Sequence, residues 1–227
     1  MRESWTTDFS GKVRSIVSSA QRYHDDFVKA KRFTGPSLYF HRRAVATAGD
    51  PRVERHLEYV YAAVASWGMH RMGPGGAKML DFAEFRRSAL DLKPLLQKAR
   101  GYVLGTAAYD EWRIVEEIFM GMRIMKSGSD LVGNSKAMAH MLPNLIPPID
   151  RSYTLRFLRE TTVVPQSKEA QWQLMKSMVE GFFARVARDR SFAARAEDWL
   201  RRKDRCLWDT SVPKIIDNLL VGAVVGR

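Results

Sequence analysis

A single cysteine, Cys206, stands in a chain of 227 residues, which excludes an internal disulfide framework and a zinc site built from several thiolates. Long apolar runs are scarce as well. The stretch from Met1 to Gly11 lacks the apolar centre of a secretory signal. The one sustained run, from Ile215 to Val225, is interrupted by Asp217 and Asn218 and is too short to span a membrane. No glycine loop ends in Gly-Lys-Ser or Gly-Lys-Thr, so there is no Walker-type nucleotide loop. The five histidines, His24, His41, His56, His70 and His140, do not pair with carboxylates at metal-ligand spacing. No zinc or iron site and no cofactor are therefore expected, and no Ser-His-Asp set is visible. Internal repeats, low-complexity tracts and long linkers are also missing, which favours one domain over residues 1–227, whether undivided or as two helical lobes flanking a cleft.

What the chain has in excess is positive charge. Lysine and arginine number 37 against 25 acidic residues, a net charge of +12 and an isoelectric point of about 10.0. Such a balance points to a polyanion, nucleic acid first and an anionic membrane surface second. A basic protein that binds neither is the bland alternative. Periodicity is helical nearly throughout. The segment from Phe9 to Lys31 carries Val13, Ile16, Val17, Ala20, Tyr23, Phe27 and Ala30 on one stripe. Asp50 with Pro51, Asp81 and Asp150 read as helix starts. Helices are expected over 38–48, 51–67, 82–90, 92–100, 110–125, 150–159, 167–203 with a break near Asp189, and 212–224. Thr161 to Pro165 is the only β-like stretch. The expected fold is all-α, an irregular multi-helix domain.

One unit concentrates chemistry. Leu131-Val132-Gly133-Asn134-Ser135-Lys136 reads as a glycine-centred turn into a short helix. That helix ends at Pro147-Pro148-Ile149-Asp150-Arg151, so an amine and a carboxylate stand fourteen positions apart at two helix starts. Helix N-termini attract phosphate, and small residues at Gly133, Asn134 and Ser135 would let a DNA backbone approach. Asp150 is equally readable as a plain N-cap. The glycine-rich loop Trp67-Gly68-Met69-His70-Arg71-Met72-Gly73-Pro74-Gly75-Gly76 could stack on a base and bond its edge, or could simply end a helix with Trp67 in the core. His140, one turn after Lys136, is a candidate for the same pocket or a core-edge histidine. Arg185 to Arg205 hold a basic run diluted by acidic neighbours. Trp208, Asp209, Lys214 and Asp217 repeat the aromatic, lysine and carboxylate theme without an assignable role, and Cys206 reads as structural.

Val132-Gly133-x-x-Lys136, a short helix, Pro148-Ile149-Asp150 and a following helix with Tyr153 and Phe157 resemble the helix-hairpin-helix DNA glycosylases. Of that family's Leu-Pro-Gly-Val-Gly hairpin only Gly133 stands here. The resemblance implies an all-α fold and hydrolysis of the N-glycosidic bond of a flipped-out base. Asp150 would be the catalytic carboxylate and Lys136 a helper or Schiff-base nucleophile. Gly133, Asn134, Ser135 and Arg151 would contact DNA, and Trp67, His70, Arg71, His140 and Tyr153 would form the base pocket. The expected partner is double-stranded DNA with a modified or damaged base, such as a glucosylated hydroxymethylcytosine of phage DNA, bound by a monomer in the cytoplasm or nucleoid of a bacterium-like cell. A DNA-binding module without catalysis and a basic helical protein-interaction domain are the alternatives.

Overall fold

The computed structural model describes residues 8–30, 35–48, 53–70, 72–73, 76–126, 128–202 and 206–226. The fold is all-α. The stripe expected over 9–31 forms two helices, α1 (Ser10–Ser18) and α2 (Ala20–Ala30), because Ser19 leaves helical geometry (φ −107°, ψ 15°). α3 (Pro36–Thr47) opens on a proline, whose missing N–H costs nothing at a helix start. α4 (Val53–Val64) runs into a π-helical turn, Ala65–Met69, where Gly68 takes φ 80° and kinks the chain. The start signal at Gly49, Asp50 and Pro51 lies outside the described residues. Between 68 and 78, where a plain loop is expected, β1 (Met72–Gly73) and β2 (Gly76–Ala77) form a minimal antiparallel hairpin. The β-like stretch 161–165 forms no strand and stays irregular.

Asp81 caps α5 (Phe82–Asp91) by accepting from the Glu84 N–H. α6 (Lys93–Ala99) and α7 (Tyr109–Gly121) follow, then an extended stretch to 126 and α8 (Asp130–Met141). Asp150 caps the π-helical turn Arg151–Leu155, which leads into α9 (Arg156–Arg159). The expected long helix from 167 divides into α10 (Lys168–Met178), a π-helical turn at Val179–Phe183 and α11 (Ala184–Arg188). Asp189 breaks it there and caps α12 (Arg190–Arg201). Ser211 caps the last helix, α13 (Val212–Val225).

One large hydrophobic core reaches from Phe9 to Ala223. Two helices run through it rather than over it. Between Leu131 and Met141 in α8 only Ala139 is less than fully buried, and α13 is buried from Pro213 to Ala223. A helix enclosed on all sides should be apolar all round. These two are not, since α8 carries Asn134, Ser135, Lys136 and His140, and α13 carries Lys214, Asp217 and Asn218, all buried. Buried charge is tolerated only when it is paired, so the partners of these residues define the place to look for function. α13 packs along α2, closely enough that a Cβ at Gly222 would run into the Tyr23 carbonyl. Among the described residues no helix is long and apolar enough to cross a membrane.

Candidate active site

The glycine-centred turn expected at 131–135 is not a turn. Gly133, Asn134 and Ser135 lie inside α8, fully buried, and do not face a DNA backbone. Gly133 is there for close packing, because a Cβ would collide with the Met125 side chain. The Asn134 amide donates to the Phe119 carbonyl (3.0 Å) and so ties α8 to α7. Ser135 Oγ donates to the Val132 carbonyl and accepts the Ile149 N–H (3.1 Å). That bond brings the proline-rich loop onto α8 and sets the position of Asp150. Lys136 is accordingly the seventh residue of α8, not a residue of its first turn.

Lys136 and Asp150 do meet. Lys136 Nζ donates to Asp150 Oδ2 (3.0 Å) and to the Trp67 carbonyl (3.4 Å). The ammonium is 5% exposed and the carboxylate 29%. Asp150 Oδ1 accepts the Ser152 N–H (2.7 Å), so the N-cap reading is also correct. Burial alone would raise the Asp150 carboxyl, but the Lys136 charge and the N–H groups of Ser152 and Tyr153 outweigh it and hold it below the usual carboxylate range.

The pair opens onto a cavity of about 280 Å³. One wall is aromatic, formed by Phe27, Trp67, Tyr153 and Trp208, with Pro148 and Val221 beside them. Ser37 and Ser66 stand at the edge, where Ser37 Oγ donates to the Ser66 carbonyl. The same cavity is lined by a second amine and carboxylate, Lys214 and Asp217. Lys214 Nζ donates to Asp217 Oδ2 (2.8 Å) and to Asn218 Oδ1. Its ammonium also sits 5.2 Å from the Trp208 ring centre, 5.7 Å from Phe27 and 6.0 Å from Trp67, within cation–π range. Lys214, not Lys136, is the lysine at a helix start, three residues after the Ser211 cap. Burial pushes the Asp217 carboxyl up against the opposing pull of Lys214 and Lys136, and the Asp150 charge adds to the rise. The cavity thus holds two carboxyl groups driven in opposite directions by their surroundings.

Of the expected base-pocket residues, Trp67 and Tyr153 line the cavity. His70 is exposed and does not line it, because the chain turns outward after the kink at Gly68. Arg71 lies outside the described residues. His140 is buried behind Trp67, with ring centres 4.9 Å apart. His140 Nδ1 meets the Lys136 carbonyl (2.8 Å), its Nε2 meets His41 Nδ1 (3.0 Å), and His41 Nε2 meets Thr210 Oγ1 (3.0 Å). Burial holds both rings neutral, His140 at about 4 and His41 well below the usual histidine value. A carbonyl only accepts, which fixes the whole chain. Thr210 O–H donates to His41, His41 Nδ1–H to His140, and His140 Nδ1–H to the Lys136 carbonyl. The two histidines therefore brace the backbone of Lys136 and the back of the aromatic wall, since His41 also stacks on Trp208 (4.9 Å, 21°). Arg151 is exposed beside the cavity, its Nε donating to the Thr162 carbonyl (2.7 Å). Arg42 and Arg43 are exposed on α3, the helix that brings Ser37 to the rim.

Two features went unseen in the sequence. Lys214 and Asp217 stand out only as a repeated theme, because their place in the cavity with Asp150 depends on α13 crossing the core. His24, Cys206 and Asp209 converge in space although the histidine is far away in sequence. No protein-family model, curated protein or solved structure matches the chain.

Proposed function

We propose that the protein is a DNA glycosylase that hydrolyses the N-glycosidic bond of a flipped-out modified base and leaves an abasic site. The observation that carries this reading is the cavity itself, lined by Asp150 paired with Lys136, by the buried Asp217 and by four aromatic rings. Its volume is near the lower end of small-molecule pockets, about 300–1,000 Å³, a scale that suits one extruded nucleotide base. Trp67, Trp208, Tyr153 and Phe27 offer faces for stacking.

In this mechanism the C1′–N bond breaks as positive charge grows on the sugar. The Asp150 carboxylate stabilises that charge and takes the proton of the attacking water as the C1′–O bond forms. Asp217, the carboxyl raised by burial, delivers a proton to the leaving base. Two carboxyl groups pushed apart in this way divide the acid and base roles. Lys136 keeps Asp150 ionised; a lyase branch would instead have its amine, after losing a proton to solvent, bond to C1′ as the C1′–N bond to the base breaks. Exposed Arg42, Arg43 and Arg151 and the +12 net charge supply the phosphate attraction that offsets unstacking. The substrate proposed is a base with a polar substituent, such as glucosylated hydroxymethylcytosine, with Lys214 and the two serines as its hydrogen-bonding groups.

The decisive experiment is abasic-site formation on DNA carrying such a base, scored by strand breakage after alkali. Breakage lost in Asp150→Ala supports the reading, and breakage before alkali that is lost in Lys136→Ala adds a lyase step. A second reading, DNA binding without chemistry, draws on the net charge of +12 and the exposed Arg42, Arg43 and Arg151. It predicts salt-sensitive duplex binding with no product from any substrate.

A further inference from the structure

Behind the Trp208 wall, three groups able to ligate a metal come together from opposite ends of the chain. His24 comes from α2, and Cys206 and Asp209 come from the segment leading into α13. All three are buried, and their ligand atoms lie within 4.8 Å of one another. We propose that they form a binding site for a zinc-class divalent cation, with one nitrogen, one sulfur and one oxygen ligand from the protein and water in the fourth position.

The donor set favours zinc over magnesium or calcium, which prefer oxygen alone. Asp209 has the hydrogen-bonded support expected of a ligating carboxylate, and stacking orients the His24 ring. The His24 ring lies flat on Trp199, 4.2 Å away at an interplanar angle of 5°. Asp209 Oδ1 accepts from Asn218 Nδ2 (2.8 Å), and Asn218 is itself held by Lys214. These contacts leave Asp209 Oδ2 and His24 Nε2 turned toward each other, 2.7 Å apart as a hydrogen-bonded pair. Zinc–nitrogen and zinc–oxygen bonds of about 2.0–2.2 Å place neighbouring tetrahedral donors roughly 3.3 Å apart. The pair must therefore open by about half an ångström, a small rotation of the two side chains. Surface clefts reach the cluster from two sides, one bordered by His24, Trp199 and Asp209 and the other by Cys206 and Asp209, so an ion has a way in.

Binding forms three metal–ligand bonds and changes no oxidation state. The Cys206 thiol loses its proton to solvent, and the His24 proton now facing Asp209 moves to Nδ1 so that the Nε2 lone pair faces the metal. The site would clamp α2 to the segment that presents Trp208 and, through Asn218, would steady Lys214. It stands independently of the glycosylase reading.

The test uses the full chain incubated with zinc ion, desalted, and analysed for metal content by mass spectrometry beside Cys206→Ser, His24→Gln and Asp209→Asn. The expected result is one zinc per chain in the wild type and at least about tenfold weaker retention in each variant. Replacing zinc with cobalt should give a thiolate-to-cobalt absorption band that is lost in Cys206→Ser. Circular dichroism separates a lost site from a lost fold. If a variant does not fold, the wild-type cobalt band decides. Folded wild type that retains no zinc and shows no such band overturns the proposal, as does undiminished zinc in the folded variants, which would mean adventitious ions only.

Discussion

Replacing Lys136 with methionine keeps the apolar stem and removes the ammonium from a pair buried at 3.0 Å. Removing one member of a buried ion pair costs about 3–5 kcal/mol, because the remaining charge is stranded. Asp150 is only partly stranded. It keeps 29% exposure and the Ser152 N–H, which brings the expected loss to about 2 kcal/mol. For a chain of this size each kcal/mol moves the melting temperature by about 2–4 °C, so a fall of about 4–8 °C is expected at pH 7. The pH dependence carries the diagnosis. In the wild type the Asp150 carboxyl lies below its usual value of 3.8, so its contribution is present above that value and lost as pH falls through the folded one. Without Lys136, burial is opposed only by the N–H groups of Ser152 and Tyr153, and the carboxyl rises. The gap between variant and wild type should then be widest near neutrality and narrow as the pH falls toward the ordinary carboxylate range. Thermal melting followed by circular dichroism from neutral to acid pH reads this directly. Adding Asp150→Asn to Lys136→Met should restore part of the lost stability. A variant within about 1 °C of wild type at pH 7, or a gap that ignores pH, would refute the pairing.

Further outcomes follow from the same geometry. Asp150→Asn preserves the N-cap but removes the charge. A carboxylate about 4 Å from a developing cation at an effective dielectric of about 20 contributes about 4 kcal/mol, so single-turnover base release should slow roughly 10³-fold while duplex binding is kept or tightened. The rate should fall at acid pH as Asp150 protonates and again as rising pH removes the raised Asp217 proton, and Asp217→Asn should abolish the second limb. His140, held at about 4 from an ordinary 6.5, takes up its proton more readily in the unfolded chain. Its stabilisation is complete above pH 6.5 and is lost toward pH 4, about 3 kcal/mol across that window. Urea titrations at the two ends should show the loss, and His140→Gln should flatten it. Gly133→Ala forces a methyl into Met125 and should destabilise by about 1–3 kcal/mol without a specific effect on DNA affinity. A large, selective loss of binding would restore the phosphate-contact reading of that residue.

The all-α fold was legible because its apolar stripes recur at helical spacing, and the caps at Asp81 and Asp150 were legible from residue type, while Asp189 was legible as a break and not as the cap it forms. The meeting of Lys136 and Asp150 was legible as an amine and a carboxylate across a short helix. The hairpin reading of Gly133 failed because a glycine that permits close approach inside a helix looks, in one dimension, the same as a glycine that makes a turn. Asn218 appeared only as an interruption of an apolar run, and Asp217 as that and as part of a repeated theme without an assignable role. Their meaning comes from α13 passing through the core, where an unexplained charge has to find a partner. Lys214 needed Phe27 and Trp67 from elsewhere in the chain to complete its aromatic surroundings. Such tertiary placement has no local signature.

The most direct test of the central claim is single-turnover abasic-site formation by the wild-type chain on a panel of duplexes. The panel holds unmodified DNA, DNA with oxidised, alkylated or deaminated bases, and phage DNA with glucosylated hydroxymethylcytosine. The account predicts alkali-labile breakage on one modified member, absent in Asp150→Ala. Silence on every member, with salt-sensitive duplex binding intact, would contradict it and leave a DNA-binding module in its place.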